Sequence, residues 1–180
     1  MDAQTCILTR RSVRKFTQEP VTHEELEKIV SLASFAPSWK NTQISRYIAI
    51  EDPAVRQTIA EQYCLPGANN PAIIENCPML IAQTFVKNRC GFERDGTYTT
   101  DREEGWQYYD CGIAAQTFCL AAHDLGLATV IMGVFDRKAL QDYLQIPEDQ
   151  ELMALIALGH AEEVGPAPKR KGVDVLLSYR

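Results

Sequence analysis

Hydrophobic residues follow a helical spacing in some parts of the chain and an extended spacing in others. Residues 22–33 carry apolar side chains three and four positions apart, and Thr22 with Glu25 forms the capping-box pattern that begins a helix. Residues 46–51 alternate as RYIAIE, which predicts a strand with one exposed face. Residues 78–85 are mostly apolar, as is typical of a buried strand. The hydrophobic pattern therefore predicts that helices and strands alternate along the chain.

The longest predicted helix lies in the second half of the chain. Asp101 and Glu104 have the spacing of a helix N-cap and its third residue, and the helical pattern continues to about Leu125. Gly126 is a typical C-terminal stop. Because this segment is apolar on nearly every side, we expect it to be buried in a core or between subunits.

The remaining predicted elements are shorter. They are a helix over 2–9, a helix beginning at Asp52–Pro53, a loop at 69–71, a strand over 128–135, a helix from Asp136 to about Gln145, and a strand over 152–158. Together they predict an α+β fold for a single domain over 1–180, with three layers and a central mixed β-sheet flanked by helices.

The end of the chain raises a separate question. Residues 173–177 are mostly apolar and predict a C-terminal strand, which must pair with a sheet edge. That edge belongs either to the same chain or to a partner chain. In the second case the strand would be exchanged in a dimer.

Composition narrows the class of function. The net charge of -6 disfavours general binding to nucleic acid or to an anionic membrane. The six cysteines have no CxxC spacing and no export signal precedes them, so we expect reduced thiols in a cytoplasmic protein. The three histidines are too scattered to predict a metal site.

The positive charge is clustered at the two ends of the chain. Residues 10–15 hold three arginines and a lysine around Ser12, and residues 169–171 are Lys-Arg-Lys. Arginine and serine are well suited to bind a phosphate, although a solvated basic edge would give the same pattern. The chain has no dinucleotide fingerprint, no phosphate-binding P-loop and no nucleophile elbow, while a paired-carboxylate site among its 24 acidic residues stays open. If the protein is an enzyme, we expect a cofactor to carry the chemistry.

Four segments in the same order resemble the nitroreductase family of flavoproteins. They are the RRSVRKF motif at 10–16, the APSWKNTQ motif at 36–43, the long helix and following strand over 114–133, and the ending LGH at 158–160 with the basic triplet at 169–171. The resemblance covers nearly the whole chain, which is similar to the compact members of the family. Gly172 departs from the family pattern, where proline follows the basic pair.

The resemblance implies an oxidoreductase that binds FMN between the subunits of a homodimer. It implies hydride transfer from NADH or NADPH through flavin N5 to nitroaromatic, quinone or related acceptors, by a ping-pong mechanism.

The resemblance also implies roles for individual residues of the first subunit. Arg10, Arg11 and Ser12 would bind the FMN phosphate and ribityl chain. Arg14 would be the catalytic residue, because a cation at the pyrimidine edge stabilises the negative charge that reduction creates there.

Further cofactor-binding residues follow from the other three segments. Pro37, Ser38 and Asn41 would come from the other subunit and contact the flavin. The backbone of Ile131, Met132 and Gly133 would pass along the isoalloxazine. Arg170 would return to the phosphate, with Lys169 or Lys171 as close alternatives.

Several alternatives stay open at this point. The protein could be a non-redox FMN sensor or carrier, or an enzyme of the same fold with other flavin chemistry, such as reductive dehalogenation or flavin breakdown. Residues 87–101 could form a lid or a surface excursion. Trp39 could be a substrate wall or a dimer-interface aromatic, whereas Tyr98, Trp106 and Tyr109 could shape an acceptor pocket and His160 could lie near the phosphate.

Overall fold

An antiparallel sheet forms the centre of the computed structural model, which describes residues 1–67 and 69–180. Within these residues the sheet has four strands in the order β1-β2-β4-β3. The strands are β1 Ser45–Ile50, β2 Met79–Val86, β3 Ala128–Met132 and β4 Gln150–Gly159. The two long strands β2 and β4 pair with each other, so β1 and β3 form the opposite edges of the sheet.

Seven helices surround the sheet in the described part of the chain. They are α1 Ala3–Thr9, α2 His23–Ala33, α3 Pro53–Gln62, α4 Asn70–Asn76, α5 Gly105–Asp124, α6 Arg137–Tyr143 and α7 Val173–Leu176. No helix of the described residues is long and apolar enough to cross a membrane. The same residues contain no cluster of three or more His, Cys, Asp or Glu side chains that could hold a metal ion.

Both faces of the sheet are covered, because the central strands β2 and β4 are buried along most of their length and mostly apolar. Successive side chains of a strand point to opposite faces. Leu80, Ala82, Leu155 and Ala157 pack with α3, α4 and α6, whereas Met79, Ile81, Ile156 and Leu158 pack with α2 and α5. The predicted three-layer α+β architecture is therefore confirmed.

The helix termini follow the capping residues of the sequence. Thr22 and Glu25 form the complete capping box of α2, while Asp52 and Asp136 accept backbone hydrogen bonds at the starts of α3 and α6. At the end of α5, Gly126 has a φ of 83°, which glycine adopts without the strain that a Cβ would cause.

The prediction of a mixed sheet was wrong, since every pair of neighbouring strands in the sheet is antiparallel. A parallel contact occurs as an isolated bridge between Ser12 and Thr129. The hydrophobic pattern identifies a strand but not the direction of its neighbour, which depends on how the intervening helices cross the sheet.

The predicted C-terminal strand was also wrong. Residues 173–176 form the single helical turn α7, which a hydrogen bond from Leu177 N to Val173 O closes at 2.9 Å. Every residue from 162 to 180 is exposed. The tail contributes no side chain to the core, and local backbone hydrogen bonds form its helical turn.

Two helix starts also differ from the predictions. Asn70 and Pro71 begin α4 instead of forming a loop, because proline fits the first turn of a helix as well as it fits a loop. Helix α5 begins at Gly105, since Glu103 has a φ of 51° and interrupts the helical backbone after Asp101.

Candidate active site

The N-terminal basic segment lies along the edge strand β3. Ser12 bridges Thr129, and the backbone N–H of Val13 donates to Thr129 O at 3.0 Å. The side chains of Val13 and Phe16 are buried in the core, whereas Ser12 and Arg14 are exposed. The core therefore fixes the backbone of this segment while its polar side chains face solvent at the sheet edge.

Arg10 and Arg11 line a cavity of about 220 Å³, named here the basic pocket. Its other lining residues include Thr9, His123, Thr129 and Val164. The Thr9 hydroxyl donates to Thr5 O at 2.7 Å, so it accepts from His123 Nε2, which lies 2.8 Å away. Partial burial and the nearby cations of Arg10 and Arg11 lower the pKa of His123. His123 is therefore mainly neutral at pH 7, and the two arginines supply the positive charge of the pocket.

The arginines of this segment have no carboxylate partner in the described chain, although Arg11 and Arg14 each donate from Nη1 to backbone carbonyls. None of Arg10, Arg11 and Arg14 forms an ion pair with a carboxylate of residues 1–67 or 69–180. Lys15 differs, since its Nζ lies 2.7 Å from a carboxylate oxygen of Glu163. Clustered guanidinium groups without a carboxylate are the donors that bind phosphate in a bidentate way.

The end of β3 offers backbone rather than side-chain groups. Met132 is buried in the core, whereas Ile131 is 46% exposed. A Cβ added at Gly133 would meet no atom of the chain within 4 Å. The surface at Gly133 is thus flat and open, and a planar ligand could approach the backbone closely there.

The sequence did not reveal the neighbours of this strand end. Asn70, which is 8% exposed, donates from Nδ2 to Val134 O at 3.1 Å, and Leu65 N donates to the same oxygen at 3.4 Å. These contacts bring the start of α4 beside Gly133. Nothing in the local pattern around residues 65 and 70 indicates this placement, because it depends on the packing of α4 against the sheet.

The other predicted flavin-contacting residues lie at the opposite edge of the sheet. Pro37 and Ser38 line a second cavity, of about 400 Å³, which α2, β1 and α5 enclose. Asn41 ends the 3₁₀ turn Trp39–Asn41 beside it. This cavity shares no lining residue with the basic pocket. One chain therefore does not bring Pro37, Ser38 and Asn41 together with Arg10–Arg14.

The basic triplet of the tail is likewise exposed and separate from the basic pocket. Lys169, Arg170 and Lys171 form no ion pair with the described residues. The tail nevertheless starts beside the pocket, which Val164 lines. The five residues from Val164 to Lys169 can span at most about 17 Å, so the triplet is tethered within reach of the pocket.

Aromatic side chains form a wall next to Asn41. The rings of Trp39 and Trp106 lie 4.8 Å apart, and Tyr109 packs edge-on against Trp106 at 5.7 Å. Residues 87–101 fold over this wall as a turn with a bridge between Phe92 and Tyr98. His160 lies elsewhere, with Nε2 3.8 Å from Glu19 Oε1.

The buried cysteines do not supply a reactive thiolate. Burial raises the pKa of Cys77 and of Cys111 to about 12, so both thiols stay protonated at neutral pH. All six cysteines are free and serve as small core residues or weak donors.

Comparison with known proteins identifies the family. The model of the nitroreductase family matches residues 7–160. An Archaeoglobus fulgidus protein, described as a provisional NADH dehydrogenase/NAD(P)H nitroreductase, is 28% identical over 165 residues, which are 87% of this chain and 84% of the relative. The FMN reductase (NAD(P)H) of Bacillus subtilis is 28% identical over 159 residues, covering 83% of this chain and 62% of the relative.

A solved structure with a similar fold supports the same family. A provisional nitroreductase from Desulfovibrio desulfuricans, solved in complex with FMN, has a TM-score of 0.79 and 26% sequence identity, covering 100% of this chain and 98% of that chain. Fold, family model and motifs agree, and the chain belongs to the nitroreductase family.

Proposed function

We propose that this protein is an FMN-dependent oxidoreductase that transfers hydride from NADH or NADPH to small electrophilic acceptors such as nitroaromatics and quinones. The observation that carries the proposal is the basic pocket, where Arg10 and Arg11 have no carboxylate partner among the described residues. The relatives named as NAD(P)H nitroreductase and FMN reductase support this activity.

Each group of the basic segment has a distinct task in this proposal. When bound, FMN supplies a ring that accepts and donates hydride. Arg10, Arg11 and Ser12 bind its phosphate and ribityl chain with charge-assisted hydrogen bonds. Arg14, which is exposed beside β3, holds a positive charge at the pyrimidine edge and thereby favours the reduced ring. The backbone of residues 131–133 supports the ring, and Lys169 or Arg170 closes over the phosphate.

The complete site needs two subunits. Pro37, Ser38 and Asn41 lie beside β1, and the basic segment lies beside β3, so the two groups occupy opposite edges of one sheet. A homodimer would let the loop at one edge contact the flavin held at the other subunit's β3 edge. The FMN site would then be repeated twice, once for each basic pocket.

A ping-pong cycle follows from the use of one cleft by both substrates. The nicotinamide nucleotide would leave before the acceptor enters, and the aromatic wall of Trp39, Trp106 and Tyr109 would bound that cleft. The chain needs no nucleophile for hydride transfer, which agrees with its protonated buried thiols.

Steady-state kinetics test this function directly. The protein is loaded with FMN, and NADH or NADPH is varied at several concentrations of a quinone and of a nitroaromatic compound. We expect parallel double-reciprocal lines and activity that needs added or retained FMN, with Lys15→Ala as a control because Lys15 pairs with Glu163. Intersecting lines would exclude the ping-pong cycle, and FMN binding without turnover would favour a sensor or carrier.

A further inference from the structure

Asp110 is a buried carboxylate on α5 that belongs to none of the family-like motifs of the sequence. Its side chain lines the 400 Å³ cavity, and the residue is only 4% exposed. It forms no ion pair with a Lys, Arg or His of residues 1–67 or 69–180. A buried carboxylate needs hydrogen-bond donors to offset the loss of hydration, so the partners of Asp110 indicate what it does.

Two segments of the chain donate to the same oxygen of Asp110. The backbone N–H of Trp39 lies 2.9 Å from Oδ2, and the thiol of Cys90 lies 3.0 Å from Oδ2. Trp39 follows Ser38 in the loop of residues 38–43, which also carries Asn41, and Cys90 belongs to the turn that packs against the aromatic wall. One carboxylate oxygen therefore links the loop, the turn and α5.

The loop needs such a link because its backbone is strained. Lys40, Asn41 and Gln43 have φ values of 45°, 56° and 47°, in the left-handed region that non-glycine residues avoid. Within the described chain, the buried indole N–H of Trp39 and the buried hydroxyl of Thr42 have no hydrogen-bond partner. Backbone strain of this kind persists only where surrounding contacts enforce it, and it is found mainly at ligand sites.

The other polar contacts of the loop are either internal to it or exposed. Ser38 Oγ accepts from Gln43 N at 3.0 Å, which closes the loop on itself. Lys40 Nζ lies 3.0 Å from Glu93 Oε1 in an exposed ion pair, and such pairs contribute little. Asp110 is the buried contact that ties the backbone of the loop to the rigid helix α5.

We propose that Asp110 is a positioning residue, which holds Ser38 and Asn41 in the conformation that contacts FMN bound to the partner subunit. This inference rests on the proposed function. It adds that affinity for the cofactor depends on a carboxylate on α5, which touches the loop rather than the flavin.

The test compares Asp110→Ala with Asp110→Asn in the full-length protein. The amide oxygen of asparagine can accept both hydrogen bonds. We therefore expect Asp110→Asn to keep a near-normal loop order and FMN affinity, and Asp110→Ala to lose both. Hydrogen exchange of residues 38–43 measures the order of the loop without FMN. The two tryptophans of the chain are Trp39 and Trp106, so near-ultraviolet circular dichroism reports their mutual packing.

We expect Asp110→Ala to speed exchange in the loop, to reduce the tryptophan dichroism and to weaken FMN binding about tenfold, the scale of one ordinary hydrogen bond. Cys90→Ala should give a smaller change in the same direction. Asp142 is an exposed carboxylate on α6, so Asp142→Ala is the matched control. It should change neither loop exchange, nor tryptophan dichroism, nor FMN binding. Arg10→Ala should weaken FMN binding while leaving loop exchange and dichroism unchanged.

Two results would overturn the proposal. Unchanged loop exchange in Asp110→Ala would show that Asp110 does not order the loop, and this result can be obtained even if the protein binds no FMN. Faster loop exchange with unchanged FMN affinity would show that the loop does not contact the cofactor. If Asp110→Ala does not fold, Asp110→Ser replaces it, because the shorter hydroxyl cannot reach both donors and should give the same changes.

Discussion

At the scale of single residues, two neighbouring cations of one cluster have different environments. Arg14 donates to Ser12 O at 3.2 Å and has no carboxylate partner in the described chain, whereas Lys15 pairs with Glu163. In the sequence, the two residues carry the same charge and are adjacent, so the sequence alone does not distinguish their environments. Which cation is free to bind a ligand depends on the return of residues 162–163 to the segment, which the charge pattern does not encode.

Arg10→Ala tests the role of the basic pocket in binding the phosphate. We expect FMN binding to weaken by about 1.5–3 kcal/mol, the contribution of a hydrogen bond to a charged group. Equilibrium dialysis followed by flavin absorption measures the loss, with Lys15→Ala as the control. FMN content equal to that of the unaltered protein would show that Arg10 does not bind the phosphate.

Arg14→Ala tests the role of the exposed guanidinium beside the ring. We expect most of the FMN to be retained and its reduction potential to fall, because removing a cation disfavours the added negative charge. Anaerobic titration against a redox dye measures the potential. If the potential were unshifted, another group would have to stabilise the reduced ring.

At the scale of secondary-structure elements, local chemistry predicted helix starts better than it predicted strand partners. The capping side chains accept backbone N–H groups within one turn, so their effects can be inferred from neighbouring residues of the sequence. They are Thr22, Asp52 and Asp136. The pairing of β2 with β4 joins residues 64 to 79 positions apart, from Val86 with Gln150 to Met79 with Leu158. The left-handed backbone at Lys40 and Asn41 could not be predicted from the sequence either, since neither residue type requires it.

Thr22→Ala tests the capping box of α2, the helix that forms one side of the large cavity. The substitution removes the acceptor for Glu25 N, which lies 3.2 Å from Thr22 Oγ1, so we expect the free energy of unfolding to fall by about 1 kcal/mol. Urea denaturation measures this change. Thr58→Ala, inside α3, is the control and should be nearly neutral, because its hydroxyl only bonds back to Ala54 O. Equal losses in both variants would contradict the capping role.

At the scale of the whole molecule, the two halves of the candidate site lie at opposite edges of one sheet. The β1–β2–β4–β3 order separates the edge strands β1 and β3 by about 14 Å, which is three strand spacings, and each half of the site lies beside one of these edges. The motif resemblance predicted that Pro37, Ser38 and Asn41 act from the other subunit, and their place at the edge opposite to the basic segment is consistent with that prediction. The tail over 162–180 is exposed throughout, and its basic triplet lines neither half of the site.

Subunit complementation tests whether the site is shared between two chains. Arg10→Ala and Ser38→Trp are prepared separately, and each homodimer should bind FMN poorly. In a heterodimer of the two variants, one shared site would combine the unaltered Arg10 with the unaltered Ser38, and the other site would carry both substitutions. We therefore expect one tightly bound FMN per heterodimer. Affinity-tagged co-expression and flavin counting measure this. No recovery in the heterodimer would place both residues in the same subunit's site.

The central claim is that the basic pocket holds a flavin that the nicotinamide nucleotides reduce. The most direct measurement is the visible absorption of the protein reconstituted with FMN, titrated with NADH or NADPH without oxygen. We expect the flavin bands to bleach after about one equivalent of nucleotide per bound FMN and to return when a quinone is added. A bound flavin that neither nucleotide bleaches, or a protein that binds no FMN, would contradict the claim.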